Sequence, residues 1–266
     1  MSTKAPFTEV TDLIKENGGE AITHCYQCGT CSASCPWRDY ISFLPRKMFL
    51  EARLGTTDFE SDNLWRCVTC NKFTQRCPRG VPIIEIMRAF RRTVTEVGIA
   101  EIPSALSSTS KNLNSTGNPL GEAADQRNDW AIELGVNRFT NQTEILFFPC
   151  CVSAYDPAHK MSITSSSIIM TKAGLNIGIL DDSKCCGESV RKYGDEKLFK
   201  QLAENNIQLF NQHKVKRIVV NSPHCYYTLK YEYPELNGRF EIIHISQLIE
   251  DLLLTGRLQL SKEIKR

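Results

Sequence analysis

Apolar positions recur every three to four residues in two stretches of the N-terminal half, 41–54 (ISFLPRKMFLEARL) and 82–97 (PIIEIMRAFRRTVTEV), and predict helices there. In the second, Pro82 suits a first helical turn and Gly98 a stop. The pattern changes further on. Short apolar runs at 144–149 (EILFFP), 176–180 (NIGIL), 217–220 (RIVV) and 240–245 (FEIIHI) predict strands. Between them, helical spacing returns at 161–173, 196–213 and 226–231, with a last helix near 246–254. Strands alternating with helices predict βαβ units and a parallel sheet. The stretch 102–129 (IPSALSSTSKNLNSTGNPLGEAADQRND) is rich in Ser, Asn, Gly and Pro and has no apolar period, so it reads as an extended connection between two halves. No repeat recurs at a fixed period.

Length fits this division, since 266 residues make about two domains at roughly 150 each. Charge adds little. With 32 Lys and Arg against 30 Asp and Glu, the net charge of +2 predicts no pull on nucleic acid. A hydrophobic share of 41% excludes wholesale disorder. The first twenty residues carry no apolar core of a signal peptide. The longest apolar stretches, near 145–152 and 248–254, fall well short of the about 18 residues a membrane helix needs. The expectation is a cytoplasmic chain that reaches a membrane only through a partner.

Twelve cysteines change the picture. In a reducing compartment, clustered thiols indicate metal or redox chemistry. Seven lie between Cys25 and Cys77, five between Cys150 and Cys225, and none in 78–149. The first run, Cys25-x2-Cys28-x2-Cys31-x3-Cys35 followed by Pro36, has the spacing of bacterial ferredoxins. Such spacing wraps the backbone around a cube so that thiolates meet its corners, and Gly29 permits close approach. A structural zinc site is the alternative. The second run, Cys67-x2-Cys70-x2-Phe73-x3-Cys77 followed by Pro78, has Phe73 in place of its third ligand. In two-cluster ferredoxins the fourth cysteine of each run ligates the other cluster. Cluster A then takes Cys25, Cys28, Cys31 and Cys77, a complete set for [4Fe-4S]. Cluster B takes Cys35, Cys67 and Cys70, which suits [3Fe-4S], or [4Fe-4S] with an incomplete thiolate shell. Asn71, Thr74 and Gln75 are weak candidates for its fourth ligand, and loss of the cluster is the alternative. The long insert between the runs, itself helical in pattern, argues for an all-helical ferredoxin type.

The second cysteine group falls just beyond strand ends. Cys150 and Cys151 follow the run ending at Phe148, Cys185 and Cys186 follow that ending at Leu180, and Cys225 follows that ending at Val220. In an open parallel sheet the carboxyl ends of strands converge on the ligand crevice, so separation in sequence does not prevent one site. Scattered buried cysteines or a metal-free dithiol are the other readings.

The segments FFPCC, DDSKCCGES and NSPHCYYTLKYEYP resemble the Cys-Cys-Gly domain of heterodisulfide reductases and related iron–sulfur oxidoreductases. CYQCGTCSASCP and CVTCNKFTQRCPRGVP, with FLPRKM between them, resemble the helical ferredoxin subunit of the same enzymes. The resemblance implies an α+β two-domain protein: an all-helical dicluster ferredoxin domain (1–100), a linker (101–143) and an α/β parallel-sheet Cys-Cys-Gly domain (144–266). It further implies a non-cubane iron–sulfur cluster held by Cys151, Cys185, Cys186 and Cys225. Ser222 stands where a fifth cysteine is usual, so that ligand is missing, or is replaced by the Ser222 alkoxide or by Cys150, which itself replaces the usual Gly. The fused relatives carry two such domains and this chain one. The implied function is an electron-transfer subunit of a heterodisulfide-reductase-like oxidoreductase complex, taking electrons from a flavoprotein or a quinone-reactive membrane subunit. Two alternatives stand beside it. The Cys-Cys-Gly site could be catalytic toward a disulfide, with Cys185, Cys186, Cys225 and His224 as candidates, or the second domain could be a non-redox docking module. No G-x-G-x-x-G follows a strand, so hydride chemistry falls to a partner. His24, beside Cys25, is a packed or surface residue or a proton donor. Arg76, Arg79, Arg88, Arg91 and Arg92 form a basic stretch read as a docking face, a counter-charge to the clusters, or a solvated helix face.

Overall fold

The computed structural model describes residues 6–261. They divide into two compact units: one holds the residues up to Leu106 together with Ser189–Glu196, the other Ser107–Glu188 and the chain from Lys197 onward.

The first unit is helical. Its elements are α1 (Thr8–Ile14), α2 (Thr30–Ala33), α3 (Pro45–Arg53), α4 (Asn63–Arg66) and α5 (Ile83–Val97). The helix expected from residue 41 begins only at Pro45. Pro45 fixes its own φ for a first turn and keeps Leu44 out of the helical region (φ −125°, ψ 88°). Pro82 is the N-cap of α5 rather than a member of its first turn, and Gly98 ends the helix in the left-handed conformation (φ 73°). Ile83, Ile86, Met87, Phe90 and Val94 form the buried stripe of α5, and Phe90 stacks on Phe49 of α3 at 6.3 Å between ring centres. The core they share with Ile14, Ile22, Phe43 and Leu64 extends to the ligand loops, since Cys35 and Cys67 belong to it.

The second unit contains the sheet. After α6 (Ser104–Thr116) and α7 (Asp129–Glu133) come β1 (Ile145–Phe148), α8 (Cys151–Tyr155), α9 (Pro157–Lys172), β2 (Ile177–Gly178), α10 (Glu188–Tyr193), α11 (Glu196–Gln212), β3 (Arg217–Val220), α12 (Pro223–Tyr227), β4 (Glu241–His244) and α13 (Ile245–Leu254). Of these, α10 beyond Glu188 is counted with the first unit. The strands run parallel in the order β2-β1-β3-β4. All four residues of β1 are buried, as befits a central strand covered on both faces. Ile145 and Phe147 join α7, α9 and α13 in one core with Trp130, Ile163 and Leu248. Phe148, of opposite parity, packs edge-on against Phe210 of α11 at 5.9 Å.

The stretch expected as an extended connection is largely ordered into helices α6 and α7 with a short helical turn at Ala124–Asn128 between them. Asn118, Arg127 and Asn128 are buried polar residues, and Trp130 is fully buried. Leu113 is the buried residue of α6, so that helix has no apolar stripe to announce it.

Candidate functional site: three groups of thiols

In the first unit, Cys25, Cys28, Cys31 and Cys77 line one pocket, together with Gly29, Arg46 and Arg79. Cys77 thus leaves its own run and joins the first one. The complementary exchange also holds, because Cys35 lies within electrostatic reach of Cys67 and Cys70. The crossed sets expected from the spacing are therefore brought together. Their surroundings suit sulfur ligands. Val81 N–H donates to Cys77 Sγ at 3.4 Å and the Gln27 side-chain amide to Cys25 Sγ at 3.5 Å. Backbone N–H groups of Thr30, Trp37 and Thr69 do the same for Cys28, Cys35 and Cys67. Burial pushes the Cys31, Cys35 and Cys67 thiols up, so as free thiols they stay protonated.

The two loops share a backbone device that sequence reasoning missed. Gln27 (φ 69°) and Gly29 (φ 83°) flank Cys28, while Thr69 (φ 52°) and Asn71 (φ 61°) flank Cys70. A β-branched residue such as Thr69 in this region is strained, and strain of this kind persists where the surroundings require it. The second loop therefore keeps the cradle of the first. Phe73 is 4% exposed and belongs to the core of the unit. Where a third ligand would stand, the chain has a hydrophobic anchor, its burial worth roughly 1.5–3 kcal/mol. Asn71 and Gln75 are exposed, while the Thr74 and Thr69 hydroxyls are buried without a hydrogen-bond partner among the described residues.

The basic stretch divides. Arg76 and Arg79 are exposed, but Arg88 and Arg91 are 4% exposed, which removes them from any solvated face. Arg91 is an internal clamp. Its guanidinium donates to the carbonyls of Leu64 (3.0 Å), Trp65 (3.3 Å), Cys67 (2.6 Å) and Lys192 (2.9 Å) and lies over the Trp65 ring. It thereby fixes the backbone that carries Cys67. Arg92 donates to Asn17 O and pairs with Glu196 at 3.4 Å. His24 is exposed.

In the second unit, strand order reverses between β1 and β3, and ligands bind α/β sheets at such a switch point, outside the carboxyl ends of the strands. Cys150 and Cys151 follow β1, Cys225 follows β3, and Cys185 and Cys186 follow β2. Their side chains form one hydrogen-bonded string, Cys151 to Cys185 to Cys186 to Cys225 to Cys150. Four of the five are buried, and Cys150 is half-buried. Donation to Cys185 and burial hold the Cys151 thiol well up. The bond from Cys151 pulls Cys185 down, but donation to Cys186 and burial outweigh it, and Cys185 is pushed up to about 12. Cys150, which ends the string as acceptor from Cys225, is lowered.

Buried polar residues fix the loops that carry these thiols. Asn206 of α11 is fully buried. Its Oδ1 accepts from Lys184 N–H (2.9 Å), and its Nδ2 donates to Lys184 O and Cys185 O (3.2 Å each) and to the Tyr233 hydroxyl (3.0 Å). That hydroxyl donates to Cys186 O at 3.2 Å. Cys185 N–H donates to Gly117 O at 2.8 Å, so the end of α6 also holds the loop. Gly187 has φ 85°, and a Cβ there would lie 2.8 Å from the Phe199 ring. Asn221 accepts from Cys150 N–H at 2.9 Å and donates to the Ser153 hydroxyl at 2.9 Å.

Two sequence candidates sit differently. His224 turns outward, its side chain 64% exposed and its Nδ1 2.9 Å from Glu188 Oε1. Ser222 is 7% exposed and stands at the N-cap position of α12, where its side chain makes no cap hydrogen bond. Sequence reasoning also missed Arg127. It is 2% exposed, and its Nη1 donates to Cys151 Sγ at 3.1 Å.

The residues present fit iron–sulfur centres. Among the described residues no three His, Cys, Asp or Glu side chains gather around a single metal ion. The thiols instead line a pocket or form a string, which suits a polynuclear centre. Arg127 supplies an independent test, because a buried cation requires an anion. No carboxylate pairs with it among the described residues, and the groups it faces are Cys151, Cys185 and Tyr155, all held neutral by burial when no centre is bound. Burial opposes its charge, and thiolates at Cys151 and Cys185, as ligands of an iron–sulfur centre would be, supply the anion that offsets it.

Comparison with known proteins agrees. The family of 4Fe-4S dicluster domains matches residues 16–81, and the cysteine-rich CCG domain family matches residues 145–230. An EtfAB:quinone oxidoreductase of Syntrophomonas wolfei is 29% identical over 77% of this chain and 30% of its own length. One subunit of a dihydromethanophenazine:CoB–CoM heterodisulfide reductase from Methanosarcina barkeri is 23% identical, over the whole of this chain and 71% of its own. An iron–sulfur subunit of a CoB–CoM heterodisulfide reductase from Methanocaldococcus jannaschii is 40% identical over 32% of this chain and 47% of its own. The chain thus spans about 30% of the length of the first relative. Among the described residues no helix is long and apolar enough to cross a membrane.

Proposed function

We propose that this chain, a heterodisulfide-reductase-like iron–sulfur protein with one 4Fe-4S dicluster domain followed by one cysteine-rich domain, relays electrons as a subunit of a larger redox complex. The observation that carries this reading is the convergence of all twelve cysteines on three thiol groups, with no thiol left outside them. Cys25, Cys28, Cys31 and Cys77 hold a [4Fe-4S] cluster. Cys35, Cys67 and Cys70 hold a [3Fe-4S] cluster, or a [4Fe-4S] cluster with a non-cysteine fourth ligand. Cys150, Cys151, Cys185, Cys186 and Cys225 hold the centre of the cysteine-rich domain, with Cys150 supplying the thiol that Ser222 lacks. Bound clusters of these kinds accept and release single electrons. The chain's own residues orient the thiols through Arg91, Asn206, Tyr233 and Asn221, exclude water by burial at Cys35, Cys67, Cys151, Cys185, Cys186 and Cys225, and donate N–H groups to the sulfurs. The donor or acceptor is a flavin- or quinone-linked partner, in keeping with the quinone oxidoreductase among the relatives. Any membrane contact of the complex belongs to that partner.

A second reading makes the cysteine-rich domain catalytic toward a disulfide or related sulfur substrate. The half-buried Cys150 at the end of the string favours it, because that thiol is reachable from outside.

Rapid-freeze EPR separates a relay from isolated centres. The anaerobically reconstituted chain is mixed with less than one equivalent of dithionite. The relay predicts a signal from the first unit that decays as a Cys186-dependent signal grows. In Cys186→Ser the electron stays on the first unit, and Cys150→Ser loses the second unit's signal. Reduction of the two units with no exchange between them contradicts the relay.

A further inference from the structure

Arg127 is the one residue of the polar stretch before β1 whose charge meets the thiol string. Nη1 donates to Cys151 Sγ at 3.1 Å, Nη2 donates to Pro149 O at 2.9 Å, and the guanidinium lies over the Phe148 ring at 5.4 Å. Tyr155 also hydrogen-bonds it. Nε is buried with no acceptor among the described residues. The bond to Pro149 O would satisfy a purely structural role, and a neutral donor would serve it equally well. A full charge, buried and facing sulfur, calls for another explanation.

We propose that Arg127 is a positioning and charge-balancing residue of the cysteine-rich domain that raises the reduction potential of the iron–sulfur centre held there. The proposal rests on the reading that this domain holds such a centre. Reduction adds one negative charge to a site that already contains several thiolates. A fixed cation in a low-dielectric interior favours the more negative state, and so does an N–H bond to a ligand sulfur. Arg127 keeps its proton throughout, so the step at this residue is purely electrostatic. The surrounding sheet and helix ends supply no other buried cation that faces Cys151 among its described interactions. Removing the charge should therefore make the centre harder to reduce.

The test is a redox titration of the full chain, reconstituted without oxygen and followed by the EPR signal that depends on Cys186. In Arg127→Gln the midpoint is expected to fall by at least about 59 mV, a tenfold change in the equilibrium constant of a one-electron couple. Arg127→Lys, which keeps the charge, should stay closer to the unsubstituted chain than Arg127→Gln does. A second measurement needs no substitution. Pulsed EPR of a chain grown with 15N-guanidino arginine should show a 15N coupling on the same signal. An unchanged midpoint in Arg127→Gln with the centre intact overturns the proposal, and so does the absence of the coupling. If Arg127→Gln fails to retain the centre, the coupling decides. A chain without any Cys186-dependent signal overturns the parent reading, and this proposal falls with it.

Discussion

Asn206→Ala should open the Cys185–Cys186 loop without unfolding the domain around it. The substitution removes one acceptor and one amide donor from a fully buried position. Lys184 N–H then has no partner at 2.9 Å, and the carbonyls of Lys184 and Cys185 lose their shared donor. The Tyr233 hydroxyl keeps its bond to Cys186 O and is the least affected. An orphaned buried donor costs about 1–3 kcal/mol, and each carbonyl adds a smaller amount, so a total of about 3 kcal/mol follows. That is roughly a hundredfold rise in the open population of the loop. Hydrogen exchange of the metal-free chain, read by mass spectrometry, measures it at the Lys184 amide. The Cys185 amide, bonded to Gly117 O at 2.8 Å, is the internal control and should rise less. A rise below about fivefold at Lys184, under about 1 kcal/mol, refutes the clamp. An equal rise at amides throughout β1 and β3 refutes its local character.

Two further outcomes follow from the same geometry. Arg91→Met removes the side-chain donor from the carbonyls of Leu64, Trp65 and Cys67 and should cost the first unit about 3 kcal/mol, seen as a lower Tm, with selective loss of the Cys67-dependent EPR signal while the Cys25-dependent one remains. Burial pushes the Asp181 carboxyl up, but hydrogen bonds from Arg138 and Asn128 outweigh it and hold the carboxyl below its usual range. The stability it lends is therefore present above the unfolded carboxylate pKa of about 3.9 and is lost as pH falls through the lower native value. With a side chain 45% exposed the contribution is below about 1 kcal/mol, and Arg138→Ala should raise the Asp181 pKa by NMR while moving acid unfolding only slightly.

The legible parts of this chain are those where one local rule dominates. Four short apolar runs became four parallel strands, most clearly β1 and β3, because buried central strands must be apolar on both faces. Cysteine spacing indicated which thiols gather, since Cys77 lines the pocket of the first run and Cys35 lies within electrostatic reach of Cys67 and Cys70. Helix α6 was not legible, since a helix that buries Leu113 alone has no periodic stripe. Arg127 was hidden for a related reason. It stands in a Ser- and Asn-rich stretch, and only the fold brings it to Cys151, 24 residues away. For Arg88 and Arg91 the solvated-face reading fails, while Arg91 lies within electrostatic reach of Cys67, as the counter-charge reading expects. Charged residues at helical spacing usually face water, but Arg91 is held inside by its bonds to four backbone carbonyls.

The central claim is that the cysteine-rich domain holds a third iron–sulfur centre. The most direct measurement is the iron and sulfide content of the anaerobically purified chain, with EPR spectra oxidised and reduced, beside those of Cys186→Ser. The account predicts iron above that of two cubane-type clusters and a third signal that disappears in Cys186→Ser while the first unit's signals persist. Iron for two clusters or fewer, with spectra unchanged by the substitution, would contradict it.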